Sequence, residues 1–151
     1  MKYSWIKYLW AALFLAASLA SVPGLAAGTE PAASAASVRP KVVFQVSDND
    51  PAKWNLTLNN VKNIQAALGA DNVDIEIVAY GPGINMLKFD TPVGNRLQAA
   101  VQSKVKVAAC ENTMEAQKLA REDMQPAISY VPAGVVEIVR LQQQGYAYIK
   151  P

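Results

Sequence analysis

The chain contains no histidine and a single cysteine, Cys110, among its 151 residues. Without histidine the protein cannot use a Ser-His or Cys-His nucleophile pair, a histidine general base or an imidazole metal ligand. With one cysteine it can form neither an intramolecular disulfide nor a Cys-x-x-Cys motif. The chemistry open to this chain therefore depends on whether the Cys110 thiol is accessible and used, or buried and inert.

The sequence also lacks a charge imbalance. Its 14 Lys and Arg residues face 12 Asp and Glu residues, a formal net charge of +2. Two of the 14 are Lys2 and Lys7, so the chain from residue 27 onward carries 12 basic and 12 acidic residues (14 − 2 = 12). There is no basic stripe to bind phosphate backbones. We expect no nucleic-acid partner, no metal and no other cofactor.

The first 26 residues have the three parts of a secretory signal peptide. A basic start precedes an apolar run from Tyr8 to Ala20, and the small residues Gly24 and Ala26 suit a cleavage site. The alternative is an uncleaved anchor, but that needs about 20 apolar residues, and no cysteine follows the run to carry a lipid. The sequence predicts cleavage near Ala26 or Ala27, a periplasmic or secreted product, and no stable membrane insertion after cleavage.

Beyond the signal peptide, residues 27–39 are rich in Ala, Ser and Pro and are predicted to be a flexible linker. Residues 40–151 then alternate β-branched runs with helical periodicity. We expect strands at Lys41–Val46, Val73–Tyr80, Lys104–Ala109, Ile128–Val131 and Tyr146–Ile149. We expect helices at Pro51–Leu68, after Thr91, from Asn112 or Thr113 to Arg121, and at Pro132–Gln144. The pattern is typical of an α/β domain whose parallel sheet is covered on both faces.

Ligands of such sheets collect at the carboxyl ends of the strands. Three loops are expected there: Ser47–Asp50, Gly81–Asn85 and Cys110–Thr113. Cys110 would lie between a strand and a helix N-terminus, which favours the reactive thiolate. A neighbouring acid, Glu111, opposes that charge, and a free cysteine is also often simply buried. Both interpretations of Cys110 stay open at this point.

The other two loops offer weaker candidates for ligand binding, namely Asp48, Gly81, Gly83 and Asn85. The Gly81–Gly83 segment lacks the third glycine of a dinucleotide motif and has no Gly-Lys-Ser/Thr, so a tight turn is the simpler interpretation. Asp48 has too few oxygen neighbours in sequence for a calcium loop, and helix capping is the simpler role for this acidic loop.

A stripe of asparagines marks the first helix. Asn55, Asn59 and Asn63 recur at i, i+4 and i+8, away from the apolar face that carries Trp54 and Leu58. Asparagine is a mediocre helix former, so the stripe needs an explanation. It is either a solvated face or a side that packs against a neighbouring subunit.

Four segments resemble the DsrE/DsrF-like family of sulfur-relay proteins: Val43–Asn60, Val78–Gly83, Ala109–Met114 and Tyr130–Pro151. The resemblance covers residues 40–151. It implies a three-layer α/β/α fold with a five-stranded, mostly parallel sheet, and oligomers built of trimers. In the sulfur-handling members a cysteine after a strand accepts sulfur as a persulfide, and Cys110 matches that position. Asn112 and Thr113 would orient the loop.

Two functions are compatible with these features. The first is an exported sulfur carrier that holds a persulfide on Cys110 and is at most a sulfurtransferase-like carrier, acting with a donor or acceptor protein. The second is a non-enzymatic oligomeric module that binds a small ligand or partner, with Cys110 merely packed. A thiol-disulfide oxidoreductase is a third option, and it would need a resolving thiol from another molecule.

Overall fold

The computed structural model describes residues 39–151. The predicted signal peptide (1–26) and linker residues 27–38 lie outside the described residues. The last predicted linker residue, Arg39, pairs with Asp74 (Nε to Oδ1, 3.1 Å). The strands are β1 (Lys41–Val46), β2 (Asp74–Ala79), β3 (Lys106–Cys110), β4 (Ser129–Val131) and β5 (Ala147–Ile149). The helices are α1 (Pro51–Leu68), α2 (Gly94–Gln102), α3 (Glu111–Ala116) and α4 (Gly134–Gln143), with 3₁₀ segments at Gly81–Leu87 and Arg121–Asp123.

The five strands form one sheet in the order β4-β3-β2-β1-β5, and every neighbouring pair is parallel. This confirms the predicted α/β fold with a five-stranded parallel sheet. The first four strands are added in one direction across the sheet, and β5 returns to the far side of β1. Only the last connection therefore runs backwards over the sheet.

Helices cover the two faces of the sheet unequally. The larger core packs α1, α2 and the start of α3 on one face through Trp54, Leu97 and Met114. The smaller core packs α4 on the other face through Ile138 and Leu141. Because crossovers between parallel strands are right-handed, the reversed β4-to-β5 connection places α4 opposite the other helices. The result is a three-layer α/β/α arrangement.

Helix α1 begins and ends where the sequence predicts. Asp50 is its N-cap and accepts a hydrogen bond from the Ala52 N–H at 2.8 Å. Pro51 occupies the first turn, where its missing N–H costs nothing. Gly69 ends the helix with a φ of +86°, which favours glycine.

Several predicted boundaries were wrong, among them those of α2, β3 and α3. Helix α2 begins at Gly94 with Val93 as N-cap, and Thr91 lies in the preceding turn. Strand β3 begins at Lys106, because Lys104 adopts a φ of +71° that a strand cannot contain. Helix α3 begins at Glu111 and ends at Ala116, so it is shorter than predicted, and neither Asn112 nor Thr113 caps it.

An acidic side chain is buried beneath α4. Glu76 on β2 is 5% exposed and lies against Glu137 of α4, with Lys106 and Arg140 nearby. Burial, and then the charge of Glu137, raise the pKa of Glu76 above its ordinary value. The Arg140 guanidinium hydrogen bonds Glu137 and lowers the pKa of that carboxyl. Burial and the facing Glu137 carboxylate therefore both disfavour the charged form of Glu76.

The outer side of α4 is apolar. Val135, Val136 and Val139 are exposed there, and Tyr148 of β5 is exposed on the same face of the sheet. Large side chains of this kind scattered singly are ordinary, but a group of them indicates a contact surface. Among residues 39–151, no helix is both long and apolar enough to cross a membrane.

Candidate functional site

Cys110 lies at the point where the sheet changes its winding. Its strand, β3, is followed by α3 on the face of the larger core, whereas the neighbouring β4 is followed by α4 on the opposite face. Cys110 pairs in register with Val131 of β4. In open α/β sheets the crevice between two such strands is where ligands bind. The thiol thus occupies the crevice between the starts of two helices.

Polar groups at the starts of α3 and α4 act on the pKa of Cys110. Burial alone would raise the pKa of Cys110, but hydrogen bonds from the Thr113 hydroxyl and from the N–H groups of Gly134, Thr113 and Asn112 outweigh it and lower the pKa. Among these groups the Asn112 N–H lowers the pKa of Cys110 least. It also donates a hydrogen bond to the Pro132 carbonyl at 3.1 Å. Cys110 is itself the N-cap of α3, and Gly134 is the first residue of α4.

A second bond fixes the direction of the Thr113 hydroxyl. The Gly81 N–H donates to Thr113 Oγ1 at 2.9 Å. A hydroxyl can accept one hydrogen bond and donate another, so the Thr113 hydroxyl that accepts from Gly81 can still donate to the Cys110 sulfur. The Gly81 carbonyl in turn accepts from Gln117 Nε2 at 3.2 Å. Hydrogen bonds at Thr113 and at Gln117, the C-cap of α3, thus join this helix to the loop after β2.

The start of α4 reaches the thiol because residue 134 is glycine. A Cβ placed on Gly134 would lie 3.0 Å from the Tyr80 Cβ and 3.3 Å from the Cys110 Cβ. Such contacts are tighter than most real ones, so any side chain would push the helix away. Gly134 thus lies close to both Tyr80 and Cys110, and the cysteine is 5% exposed. The thiol is thus shielded from solvent, and the polar groups beside it lower its pKa.

Asp48 lies at the same edge of the sheet, but its groups serve the local structure. Its carboxylate pairs with Lys53 (3.1 Å), and its carbonyl accepts a hydrogen bond from Trp54 Nε1 at 2.8 Å. It lies near enough to Tyr80 to help raise the pKa of that phenol, after burial and the Tyr148 charge. Asp48 is therefore a neighbour of the site, and no bond joins it to Cys110.

Gly83 and Asn85 belong to the packing of the loop. A Cβ on Gly83 would lie 2.2 Å from the Val46 carbonyl oxygen, so only glycine fits where this loop crosses the end of β1. Asn85 Nδ2 donates to the Pro82 carbonyl at 3.2 Å within the same 3₁₀ segment. Of the four candidate loop residues, only Gly81 is joined to the cysteine, through Thr113. Within residues 39–151 no cluster of potential metal ligands is found.

The fold agrees with the comparison to known families. The profile of the DsrE/DsrF-like family matches residues 41–151. The chain belongs to the DsrE/DsrF-like family. This confirms the resemblance drawn from the sequence, and it makes a sulfur-relay type of function the general expectation.

Solved structures support the assignment. A protein of unknown function from Methanobacterium thermoautotrophicum, MTH1491, is 35% identical over 74% of this chain and 99% of its own, with a TM-score of 0.71. BT1422 from Bacteroides thetaiotaomicron, also of unknown function, is 16% identical over 78% and 99%, with a TM-score of 0.64. The ychN protein of E. coli is 13% identical over 74% and 99%, with a TM-score of 0.58. The last two show the fold alone. No curated protein is significantly similar.

Two residues of this site were missed from the sequence, Tyr80 and Gly134. Tyr80 ends a predicted strand and offers no signal of its own. Gly134 does offer a signal, because glycine is unfavourable inside a helix. A glycine in the first turn of α4 indicates that another part of the chain approaches the helix closely there. What that glycine approaches is decided by the sheet order, which the sequence does not reveal.

Proposed function

We propose that this DsrE/DsrF-like protein is an exported single-cysteine sulfur carrier. The observation that carries the proposal is the convergence on the Cys110 sulfur of the Thr113 hydroxyl and the Gly134 N–H, which lowers the pKa of the thiol. A thiolate is the form that attacks sulfur. Family membership supports the same chemistry but does not assign it to this residue.

The proposed step transfers one sulfur atom without net oxidation. The Cys110 thiolate attacks the outer sulfur of a donor persulfide, R–S–SH. A new S–S bond forms at Cys110, the S–S bond of the donor breaks, and its electron pair leaves with the donor as R–S⁻. The product is Cys110–S–SH, and a second thiolate removes the outer sulfur by the same exchange. The hydrogen-bond donors that stabilise the Cys110 thiolate would also stabilise a persulfide anion at this position.

Intact-mass measurement tests this function directly. The purified protein is incubated with inorganic polysulfide, and its intact mass is measured by mass spectrometry before and after treatment with a reducing thiol. We expect the mass of the wild type to rise by one sulfur atom and to return on reduction, and Cys110→Ser to remain unmodified. No added sulfur on the wild type, or equal addition to Cys110→Ser, would contradict the proposal.

A second candidate is a binding module in which Cys110 is only packed, and the 5% exposure of this residue favours it. Under this alternative the native thiol resists iodoacetamide until the protein is unfolded, and Cys110→Ser keeps its fold and its partner. Under the carrier function the native thiol reacts, and it does so faster than an unfolded control at pH 7. The two functions therefore predict opposite orders of native and unfolded reactivity.

We also propose that the mature protein is periplasmic or secreted and forms a trimer or a multiple of it. The N-terminal sequence supports export, and the exposed apolar side of α4 supports self-association. The mass of the exported protein should correspond to cleavage after Ala26 or Ala27. Light scattering should report a trimer or its multiple, which Val136→Asp dissociates. Leu56→Asp changes another exposed apolar side chain, on α1, and is the control that should leave the oligomer intact.

A further inference from the structure

Arg96 differs from the other described arginines in its partners. Its guanidinium donates to the side-chain oxygens of Asn55 and Asn59, the latter at 2.6 Å. Each of the other three arginines of residues 39–151 pairs with a carboxylate: Arg39 with Asp74, Arg121 with Glu111 and Arg140 with Glu137. Arg96 is thus held in place by neutral amides, and it has no carboxylate partner within residues 39–151.

The asparagine stripe of α1 is part of this arrangement. Asn55 and Asn59 accept hydrogen bonds from Arg96 of α2 in the same chain. These two positions are therefore not simply a solvated face. The guanidinium of Arg96 donates three hydrogen bonds to these two residues. Two go to the backbone and side-chain oxygens of Asn55, and one goes to the side-chain oxygen of Asn59. A guanidinium has about five N–H donors, so donors remain for a further acceptor.

Arg96 lies in a groove between α1 and α2 with a volume of about 430 Å³. Leu58 and Val61 of α1 and the small Ala99 and Ala100 of α2 give the groove an apolar lining. Volumes of this order are typical of sites for small organic molecules. The short alanine side chains leave the space open.

Two sets of hydrogen bonds tie the helices together around the groove. Arg96 joins them near their N-terminal ends. Further along, Gln65 Nε2 donates to the Ser103 carbonyl at 2.7 Å, and Ser103 Oγ donates back to Gln65 Oε1 at 3.0 Å. The groove is therefore a short pocket of fixed width and not a continuous channel, which favours a small molecule over a protein segment.

The charge of the groove has one sign. Neither α1 nor α2 contains an acidic residue. Lys62 lies in the groove lining beside Arg96. A half-buried positive charge without a carboxylate partner among the described residues gains from any anion that reaches it. An apolar lining next to such a charge matches a molecule with an anionic head and a short apolar body.

We propose that the groove between α1 and α2 binds a small amphipathic organic anion, whose carboxylate or sulfonate head contacts Arg96 and whose apolar body lies on Ala99 and Ala100. This site shares no lining residue with the Cys110 site and does not depend on the sulfur chemistry proposed for it. Asn55 and Asn59 act as positioning residues that hold the guanidinium at the mouth of the groove.

The full chain without its signal peptide is titrated with octanoate, and the binding is followed by calorimetry and by the shift in melting temperature. Octanamide, which has the same chain and a neutral head, is the matched ligand control. We expect octanoate to bind and to raise the melting temperature, and octanamide to bind at least tenfold more weakly, since a charge-assisted hydrogen bond contributes about 1.5 kcal/mol or more. Arg96→Gln should lose octanoate binding by a similar factor.

Arg39→Gln removes an arginine outside the groove and should bind octanoate as the wild type does. The proposal is overturned if octanoate does not bind, if octanamide binds equally well, or if Arg96→Gln binds as tightly as the wild type. It is likewise overturned if Arg96→Gln changes the oligomeric state while octanoate has no effect, because the groove would then be a contact between copies of the chain. Octanoate binding to Cys110→Ser should be unchanged, which separates this site from the sulfur site.

Discussion

Replacing Thr113 by valine tests whether the hydroxyl at the crevice activates Cys110. Valine keeps the shape of threonine but removes the oxygen that accepts from Gly81 (2.9 Å) and donates to the sulfur. The thiolate loses a charge-assisted hydrogen bond, whereas the neutral thiol loses much less. We therefore expect the pKa of Cys110 to rise in Thr113→Val.

The size of the effect follows from the strength of that bond. A hydrogen bond to a charged group contributes about 1.5 kcal/mol or more, so the thiolate population at neutral pH should fall roughly tenfold. A thiolate of higher pKa is also a better nucleophile, with a Brønsted slope of about 0.5, so the rate of alkylation should fall only about threefold. Above the thiol pKa, where both proteins are ionised, the variant should react about threefold faster.

The assay is the rate of iodoacetamide alkylation of Cys110 as a function of pH. Thr113→Ser restores the hydroxyl and is the matched control, which should keep the wild-type profile. Loss of the acceptor for the Gly81 N–H should lower the free energy of unfolding by about 1 kcal/mol, and urea denaturation measures that change separately. The two rate profiles of wild type and Thr113→Val should cross.

Parallel profiles would refute this reasoning. If Thr113→Val reacts more slowly at every pH with an unchanged midpoint, then the side chain controls access to the sulfur and not its ionisation. If the midpoint of the wild type itself lies at or above the ordinary value of 9.0 given for the thiol, then burial outweighs the donors and the carrier function loses its main support.

Three further changes follow from the same contacts. Gly134→Ala should slow alkylation of Cys110 about twofold at neutral pH, because withdrawal of α4 weakens one hydrogen bond to the sulfur by about 1 kcal/mol; urea denaturation should show little loss of stability, since alanine favours the helix. Gly83→Ala should lower the free energy of unfolding by about 3 kcal/mol or more, since its Cβ would lie 2.2 Å from the Val46 carbonyl oxygen; a stable variant would mean the loop can move. Glu76→Gln should raise the melting temperature at pH 7. Because the pKa of Glu76 is raised, its protonated form stabilises the fold, and this contribution is complete only below the ordinary pKa of 4.5 and is lost as the pH rises through the pKa of the folded state. The gain in melting temperature should therefore disappear at pH 4. An equal gain at pH 4 and pH 7 would contradict the assignment.

The elements with strong local signals were predictable. Asp50 and Pro51 begin α1 and Gly69 ends it, because the cap, the missing N–H and the positive φ are all properties of those residues alone. Strands β1 and β2 are recognisable because they are buried β-branched runs. In these segments local preference and tertiary packing agree.

The boundaries that were wrong are those where neighbours override local preference. Thr91 and Pro92 are typical of a helix start, yet α2 begins at Gly94, since the Lys88–Thr91 segment is held by other contacts. Gln125 Nε2 donates to the carbonyls of Lys88 and Phe89, at 3.2 and 2.8 Å. A side chain about 30 positions along the chain thus decides where the helix begins, and no local pattern reveals it.

By itself the sequence determined the class of fold, the family and the one cysteine on which sulfur chemistry can take place. These depend on residue types and on their periodicity, which are local. Only the tertiary structure decided that Cys110 lies where the sheet reverses its winding, with Thr113 on one side and the start of α4 at Gly134 on the other. The strand order brings Gly134 to Cys110 across 24 positions of the chain. The pKa of a thiol depends on these through-space neighbours, so the sequence alone could not show which groups act on the pKa of the single cysteine.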